Sequence, residues 1–236
     1  MYEMTEQTEI TSLIAEADIS RKNIAAAANI LFRLSQNDPT VKICGTLTVA
    51  ACSLSTEDFP DVSGIKKYIY LARVLERIDE TEEKLKGFQS ELTGALTELY
   101  KTDELLRTLS DKLKKESDIL LALEKKITGL ISSGAALSAS EKQLMEHQLS
   151  DMNMSQIVAV KNRQLIDNMA ANNSALISGI ASVETTLLPL WRSQLLQAKA
   201  TCAADDIRRS FETGRLTTEK IFSFAYKGSG KKFANK

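Results

Sequence analysis

The sequence predicts an all-α protein: an elongated antiparallel helical bundle, or coiled-coil hairpin, with a proline-kinked C-terminal helix. Three observations carry this. Only 10 glycines and 3 prolines punctuate 236 residues, too few for the many turns of a sandwich, a barrel or an alternating α/β fold. Aromatics are sparse at 6%, while hydrophobic residues reach 43%, enough to build a core from aliphatic helix formers. Those aliphatic residues recur at intervals of three, four and seven, the period of a helix face.

The first helix is expected from about Thr5 to Ser35, where Ile10, Leu13, Ile14, Ala17, Ile24, Ala28, Leu31 and Leu34 mark one face. Asn37-Asp38-Pro39 ends it, because the residue before a proline is pushed out of helical conformation. A second helix, Thr40 to about Ser53, is short and nearly apolar all round, through Ile43, Leu47, Val49, Ala50 and Ala51. That pattern predicts burial against other helices. Glu57 to Gly64 then reads as a linker, with Asp61 or Ser63 as the cap of the third helix.

From there to about Ser132 nothing is strong enough to break a helix. Leu71, Leu75, Ile78, Leu85, Phe88, Leu92, Leu96, Leu99, Leu106, Leu109, Leu113, Leu120, Leu123, Ile127 and Leu130 keep helical spacing. Glu82, Gln89, Asp103 and Ser117 are expected at seam positions between them, and the whole is a coiled-coil signal. Gly87 and Gly94 inside this helix mark either close approach of a neighbouring backbone or tolerated substitutions. Ser132 to Ser138 turns the chain, with Gly134 as the left-handed C-cap. Ser138 with Glu141 forms a capping box that starts the return helix.

On the return helix the expected stripe is Leu165, Met169, Leu176, Ile180, Val183, Leu187 and Leu190. Asn162, Arg163, Asp167, Asn168, Asn172, Asn173 and Ser174 form an amide-rich cluster, expected to pin the register across the bundle. Pro189 should kink the helix near Thr185 and Thr186, whose hydroxyls can serve the freed carbonyls. Trp191 is expected to anchor the segment in the core, with a docking hot spot as its other role. Ile207 and Phe211 carry the stripe to Gly214, and a last amphipathic turn or two covers 216–226. The chain thus divides into N-terminal helices at 1–60, a long helical hairpin at 61–212, and a short amphipathic helix with a flexible basic tail at 213–236.

Net charge is −1, which points away from nucleic acid as a partner. The C-terminal 24 residues hold six bases against one acid, a pattern typical of a solvated end. Cys44, Cys52 and Cys202 are odd in number and widely spaced, so free thiols in a reducing cytoplasm are expected, with no disulfide framework and no metal site. His147 is the single histidine and is expected on a helix surface. The N-terminus is acidic and polar, unlike a signal peptide, and the apolar run Val41 to Leu54 is too short to cross a bilayer.

One segment also resembles a known family. Ala159, Leu165, Ile166, Asn172 and Asn173, followed by Pro189-Leu190-Trp191-Arg192 and Gln194, stand where the toxic-anion (tellurite) resistance proteins, the TelA-like family, carry their signature. Ile131-Ser-Ser-Gly134 is similar to a short helix-end stretch of the same family. Gln156 stands where the family pattern has arginine. The resemblance implies a helical protein acting in resistance to tellurite and other toxic anions or in envelope stress, with Arg163, Asn172, Asn173, Pro189, Trp191, Arg192 and Gln194 as its partner-binding or structural signature.

No phosphate-binding loop, His-Glu-x-x-His pair or nucleophile–histidine arrangement is present in the sequence. The expectation is therefore a non-enzymatic scaffold or interaction protein with no cofactor, working through protein partners, a homo-oligomer among them, with peripheral membrane contact left open. An α-helical pore-forming or membrane-remodelling subunit is the alternative, its concealed segment being Thr40 to Leu54 or Ile127 to Ala139. Capture of soft oxyanions by the three cysteines is a third reading.

Overall fold

The computed structural model describes residues 2–54, 67–132, 138–201 and 212–222. These form α1 (Tyr2–Gln36), α2 (Pro39–Cys52), α3 (Lys67–Ser132), α4 (Ala139–Ser182), a π-helical turn (Val183–Leu187), α5 (Leu188–Thr201) and α6 (212–222), with no strand among them. The fold is an all-α helical bundle. The proposed linker and its caps, the Gly134 cap, Cys202, Ile207, Phe211 and the basic tail lie outside the described residues.

Helix ends follow local chemistry. Asp38 caps α2, its side chain accepting from the Thr40 amide at 2.9 Å, and Pro39 takes the first helical position, where a missing N–H costs nothing. At the start of α4 the Ser138 amide donates to Glu141 Oε2 at 2.9 Å and the Glu141 amide to Ser138 Oγ at 3.2 Å. That reciprocal pair is the capping box the sequence predicts, and its hydrogen bonds from Ser138 hold the Glu141 carboxyl below its ordinary pKa.

Packing divides the helices into two compact units that cut across the linear order of the chain. One contains α1, α3 from Glu104 and α4 to Ala170; the other contains α2, α3 to Asp103, α4 from Ala171, α5 and α6. In the first unit Ile10, Leu13, Ala17, Ile24, Ala27 and Leu31 of α1 pack with Leu106, Leu109, Leu113, Leu120, Leu123 and Ile127 of α3 and with Met145, Met152, Ala159 and Ile166 of α4. Ala27, rather than the expected Ala28, enters this core. Cross-helix bonds fix the arrangement: Arg21 reaches Asp151 at 2.8 Å and Gln148 at 3.2 Å, Gln156 reaches Glu124 at 3.1 Å, and Asn23 donates to Glu116 at 2.9 Å. Glu116 is only 8% exposed, so that bond offsets part of the cost of desolvating a carboxylate.

In the second unit three bonds show that α3 and the return helix run antiparallel. Leu99 pairs with Asn173, Gln89 with Arg192, and Asp79 with Lys199: as the α3 number falls, its partner's number rises. α2 lays Ile43, Cys44, Leu47 and Ala51 into the core of this unit. Burial of α2 is as expected, although Val49 on its far side is 71% exposed.

The seam of α3 alternates steps of three and four without a break. Ile78, Leu85, Leu92, Leu99, Leu106, Leu113, Leu120 and Ile127 are each at most 1% exposed, and Thr81, Phe88, Ala95, Thr102, Leu109, Glu116 and Leu123 interleave them. This seven-residue repeat is the seam of a coiled coil, and each buried leucine contributes about 1.5–3 kcal/mol. Glu82, Gln89, Asp103 and Ser117 are not on it: Glu82 and Gln89 are exposed, and Asp103 and Ser117 are half-buried. They follow the count from Leu75, whereas the packed seam follows the count from Ile78, one position earlier at each repeat.

The return helix buries Met169, Leu176, Ile180, Val183 and Leu187 of its predicted stripe and departs from it at Leu165 and, beyond the π turn, at Leu190. In the second unit the buried positions up to and within the π turn are Asn173, Leu176, Ile180, Val183 and Leu187; downstream they are Leu188, Trp191, Leu195 and Ala198. The turn inserts one residue, so the inward face moves on by one. Leu165 and Leu190, expected inside, are 38% and 48% exposed; Ile166, Leu188 and Trp191 are the buried residues. Pro189 explains the location, because it has no N–H for the preceding carbonyls, and the Leu188 amide bonds five residues back to Val183. The Thr185 hydroxyl donates to the Ala181 carbonyl at 2.8 Å, an ordinary bond back by one turn rather than service to a carbonyl freed by Pro189.

Candidate interaction site around Trp191

Trp191 is fully buried in the second unit, carried inward by the π turn. Its indole meets Phe88 of α3 with ring centroids 6.3 Å apart and planes inclined at 49°, a tilted arrangement that aromatic quadrupoles favour. Against its other side lies Gly214 of α6. A Cβ added there would overlap indole Nε1 and stand 2.6 Å from Cε2 and 2.7 Å from Cζ2. Only glycine lets the two helices approach this closely. Gly179 of α4 does the same for Ile221, whose Cγ2 would lie 2.6 Å from an added Cβ. Phe222, 1% exposed, completes the anchorage of α6.

Polar groups hold α6 from its other face. Arg215 bridges Glu212 and Glu219 within the helix, and Glu219 accepts from the Cys52 thiol of α2 at 3.1 Å. Hydrogen bonding to Glu212, and the charge of Glu219, push the Arg215 guanidinium upward in pKa. Burial first, and the bond to Glu219 second, push the Cys52 thiol up. The Thr218 hydroxyl, fully buried, donates to the Gly214 carbonyl at 2.9 Å.

The structure sorts the signature residues into different roles. Asn173 is fully buried on the α4 seam and donates from Nδ2 to the Leu99 carbonyl at 2.8 Å, while its Oδ1 meets no hydrogen-bond donor. Asn172 and Gln194 are half-buried, and Pro189 is exposed. Arg192 is exposed and donates to Gln89 of α3. These residues belong to the second unit. Arg163 is exposed and belongs to the first unit, as does His147, which is on the helix surface as expected. Of the amide-rich cluster only Asn173 enters the core; Arg163, Asp167, Asn168 and Ser174 are exposed.

Sequence reasoning missed Phe88 as the partner of Trp191, and it misread Gly214. Helix α6 runs straight through Gly214, which was expected to end a stripe. A glycine inside an otherwise helical run is the signal that was available, since such a glycine needs a packing reason. Gly87 and Gly94, by contrast, have nothing within 4 Å of an added Cβ; the close approaches are at Gly179 and Gly214.

Chemically this arrangement packs and anchors. Among the described residues no group of three or more His, Cys, Asp or Glu side chains is placed to hold a metal ion. Cys44 is buried and its thiol is pushed up to about 11, by burial first and Asp38 second, which holds it toward the unreactive thiol form. Compared with protein-family models, with curated proteins and with solved structures, the chain matches none, so the resemblance to the TelA-like proteins rests on the residues that carry it.

Proposed function

We propose that this chain is a non-enzymatic helical scaffold that works through protein partners, in the resistance to tellurite and other toxic anions that its Pro189-Leu-Trp-Arg-Ser-Gln194 segment implies. The observation that carries the scaffold reading is the α3 seam, unbroken from Ile78 to Ile127. Within each unit α3 is buried along one edge, which leaves its other faces available to partners. The aromatic and amide residues that stand out in the sequence are spent on packing it: Trp191 and Asn173 are both fully buried. Arg192 and Arg163 are the signature charges presented to solvent.

Expression in a tellurite-sensitive bacterial host tests the reading. Increased tolerance is expected, with loss of tolerance in Arg163→Ala or Arg192→Ala and unchanged helical content in both. Unchanged tolerance on expression of the wild-type chain rejects the anion-resistance role. A replacement of all three cysteines by serine that abolishes tolerance would instead favour capture of oxyanions by thiols.

A membrane-acting role is the second reading. The helical stretch Ala139–Ala200 contains an 18-residue window with mean hydropathy 1.2, of which 28% is buried, so by length and composition it can cross a bilayer. Leakage of dye-loaded anionic liposomes on addition of the purified chain would favour this reading over the scaffold.

A further inference from the structure

Helix α4 carries a second seam, on its outer side, one residue behind the buried one. Met145, Met152, Ala159 and Ile166 are buried; directly before each of them stand Leu144, Asp151, Val158 and Leu165. With His147, Met154 and Lys161 between them, these positions alternate in steps of three and four, the spacing of a helix–helix contact. Leu144, Met154, Val158 and Leu165 are 47%, 62%, 40% and 38% exposed, and Lys161 is exposed. All lie within the first unit.

We propose that this seam pairs antiparallel with the same seam of a second copy of the chain, about a two-fold axis level with Gln156. The charges select both orientation and register. In that alignment Met154 of one copy faces Val158 of the other, Asp151 faces Lys161, and His147 faces Leu165, each layer occurring twice. The centre is apolar and is bracketed by opposite charges. Parallel pairing in register would set Asp151 against Asp151 and Lys161 against Lys161. An antiparallel slip of one repeat would bury those charges against Met154 or Val158 instead. Such a self-complementary patch is what a two-fold interface requires. Asp151 already accepts from Arg21 through Oδ2 at 2.8 Å, which leaves Oδ1 to accept from the incoming lysine. This pairing stands independently of any role in anion resistance.

Sedimentation equilibrium of the full chain tests it. The wild type is expected to be a dimer that dissociates on dilution. Lys161→Glu and Asp151→Lys each set like charges face to face, so each is expected to weaken self-association roughly tenfold or more. Mixed in equal amounts they restore a dimer, because each supplies the charge the other lacks. Met154→Lys and Val158→Glu form a second such pair at exposed positions, and they decide the matter if Asp151→Lys unfolds through loss of its bond to Arg21. A monomeric wild type, single variants that still dimerise, or mixtures of both pairs that stay monomeric would overturn the pairing.

Discussion

Gly214→Ala provides the sharpest test of how the Trp191 site is built, because the ordinary expectation has the opposite sign. Alanine in place of glycine inside a helix normally gains about 1 kcal/mol. At Gly214 the new methyl would overlap indole Nε1 and lie 2.6 Å from Cε2, and a rigid ring held between Phe88 and α6 has little room to yield. Overpacking of this kind costs about 1–3 kcal/mol, which cancels or outweighs the helix gain. Gly87→Ala and Gly94→Ala are the controls, since nothing stands within 4 Å of either added Cβ and both positions belong to the same unit. Those two should be stabilised by up to about 1 kcal/mol.

The difference between Gly214→Ala and the controls is thus about 1–3 kcal/mol, a separation of roughly 0.3–1.5 M in urea midpoint at an m of about 2–3 kcal/mol/M. Urea unfolding followed by the fluorescence of Trp191, the single tryptophan, reads the unit that contains the contact. In a Trp191→Leu background, followed by far-UV circular dichroism, Gly214→Ala should cost less than it does in the wild type, because the smaller side chain removes the clash. Stabilisation of Gly214→Ala equal to that of Gly87→Ala would show that the indole does not rest on this glycine.

The same packing sets further outcomes. Asn173→Leu removes a buried Oδ1 that has no donor and should leave stability unchanged or raise it by about 1 kcal/mol, while broadening the unfolding transition as the seam loses its polar marker. Native protein treated with maleimide should be labelled at Cys52 and not at Cys44, peptide mapping being the readout, because Cys52 is exposed and Cys44 is buried. The Cys44 thiol has a folded pKa of about 11 against 9.0 unfolded, so its contribution is intact below pH 9 and is lost as pH rises toward 11; Cys44→Ala should flatten that alkaline decline in thermal stability. Deleting Thr186 should close the π turn into regular helix and keep Trp191 inward, at a cost of up to about 3 kcal/mol from Pro189 inside the helix. Combining the deletion with Pro189→Ala should restore stability, and a red-shifted tryptophan emission in the double variant would count against the inserted-residue account.

Much of the fold was legible because its signals are local. Asn37-Asp38-Pro39 marks a helix end by chemistry confined to three residues, and Ser138 with Glu141 marks a helix start across one turn. The seam of α3 was legible at its apolar positions, Ile78, Leu85, Phe88, Leu92 and Leu99 among them, but its polar positions were read one residue out of phase. Leu75 and Leu96 are apolar and half-buried, so a count begun from them looks as good as one begun from Ile78. Only packing decides between two such counts, because a half-buried leucine and a buried threonine differ in their surroundings and not in their own sequence neighbourhood. Trp191 was legible as an anchor, yet its partner Phe88 stands on another helix far away in the chain, and no spacing rule links the two.

The π turn shows why the second half of the candidate site resisted prediction. A stripe projected past Thr185 at constant helical period puts Leu190 inside and leaves Trp191 to one side. Pro189 announces that the period fails, but a proline can be answered by a bend, a break or an extra residue, and these send the following side chains in different directions. Here the answer is one extra residue: Leu187 and Leu188 are both buried, and everything after them turns inward one position later. Trp191 thereby reaches Phe88 on one side and Gly214 on the other, while Arg192 is delivered to the surface beside Gln89. The same single-residue displacement turns the tryptophan inward and brings Arg192, which on the undisplaced count faces directly away from the core, round to the edge of the buried face beside Gln89, so a core anchor and a cross-helix bond are set by one irregularity in the backbone.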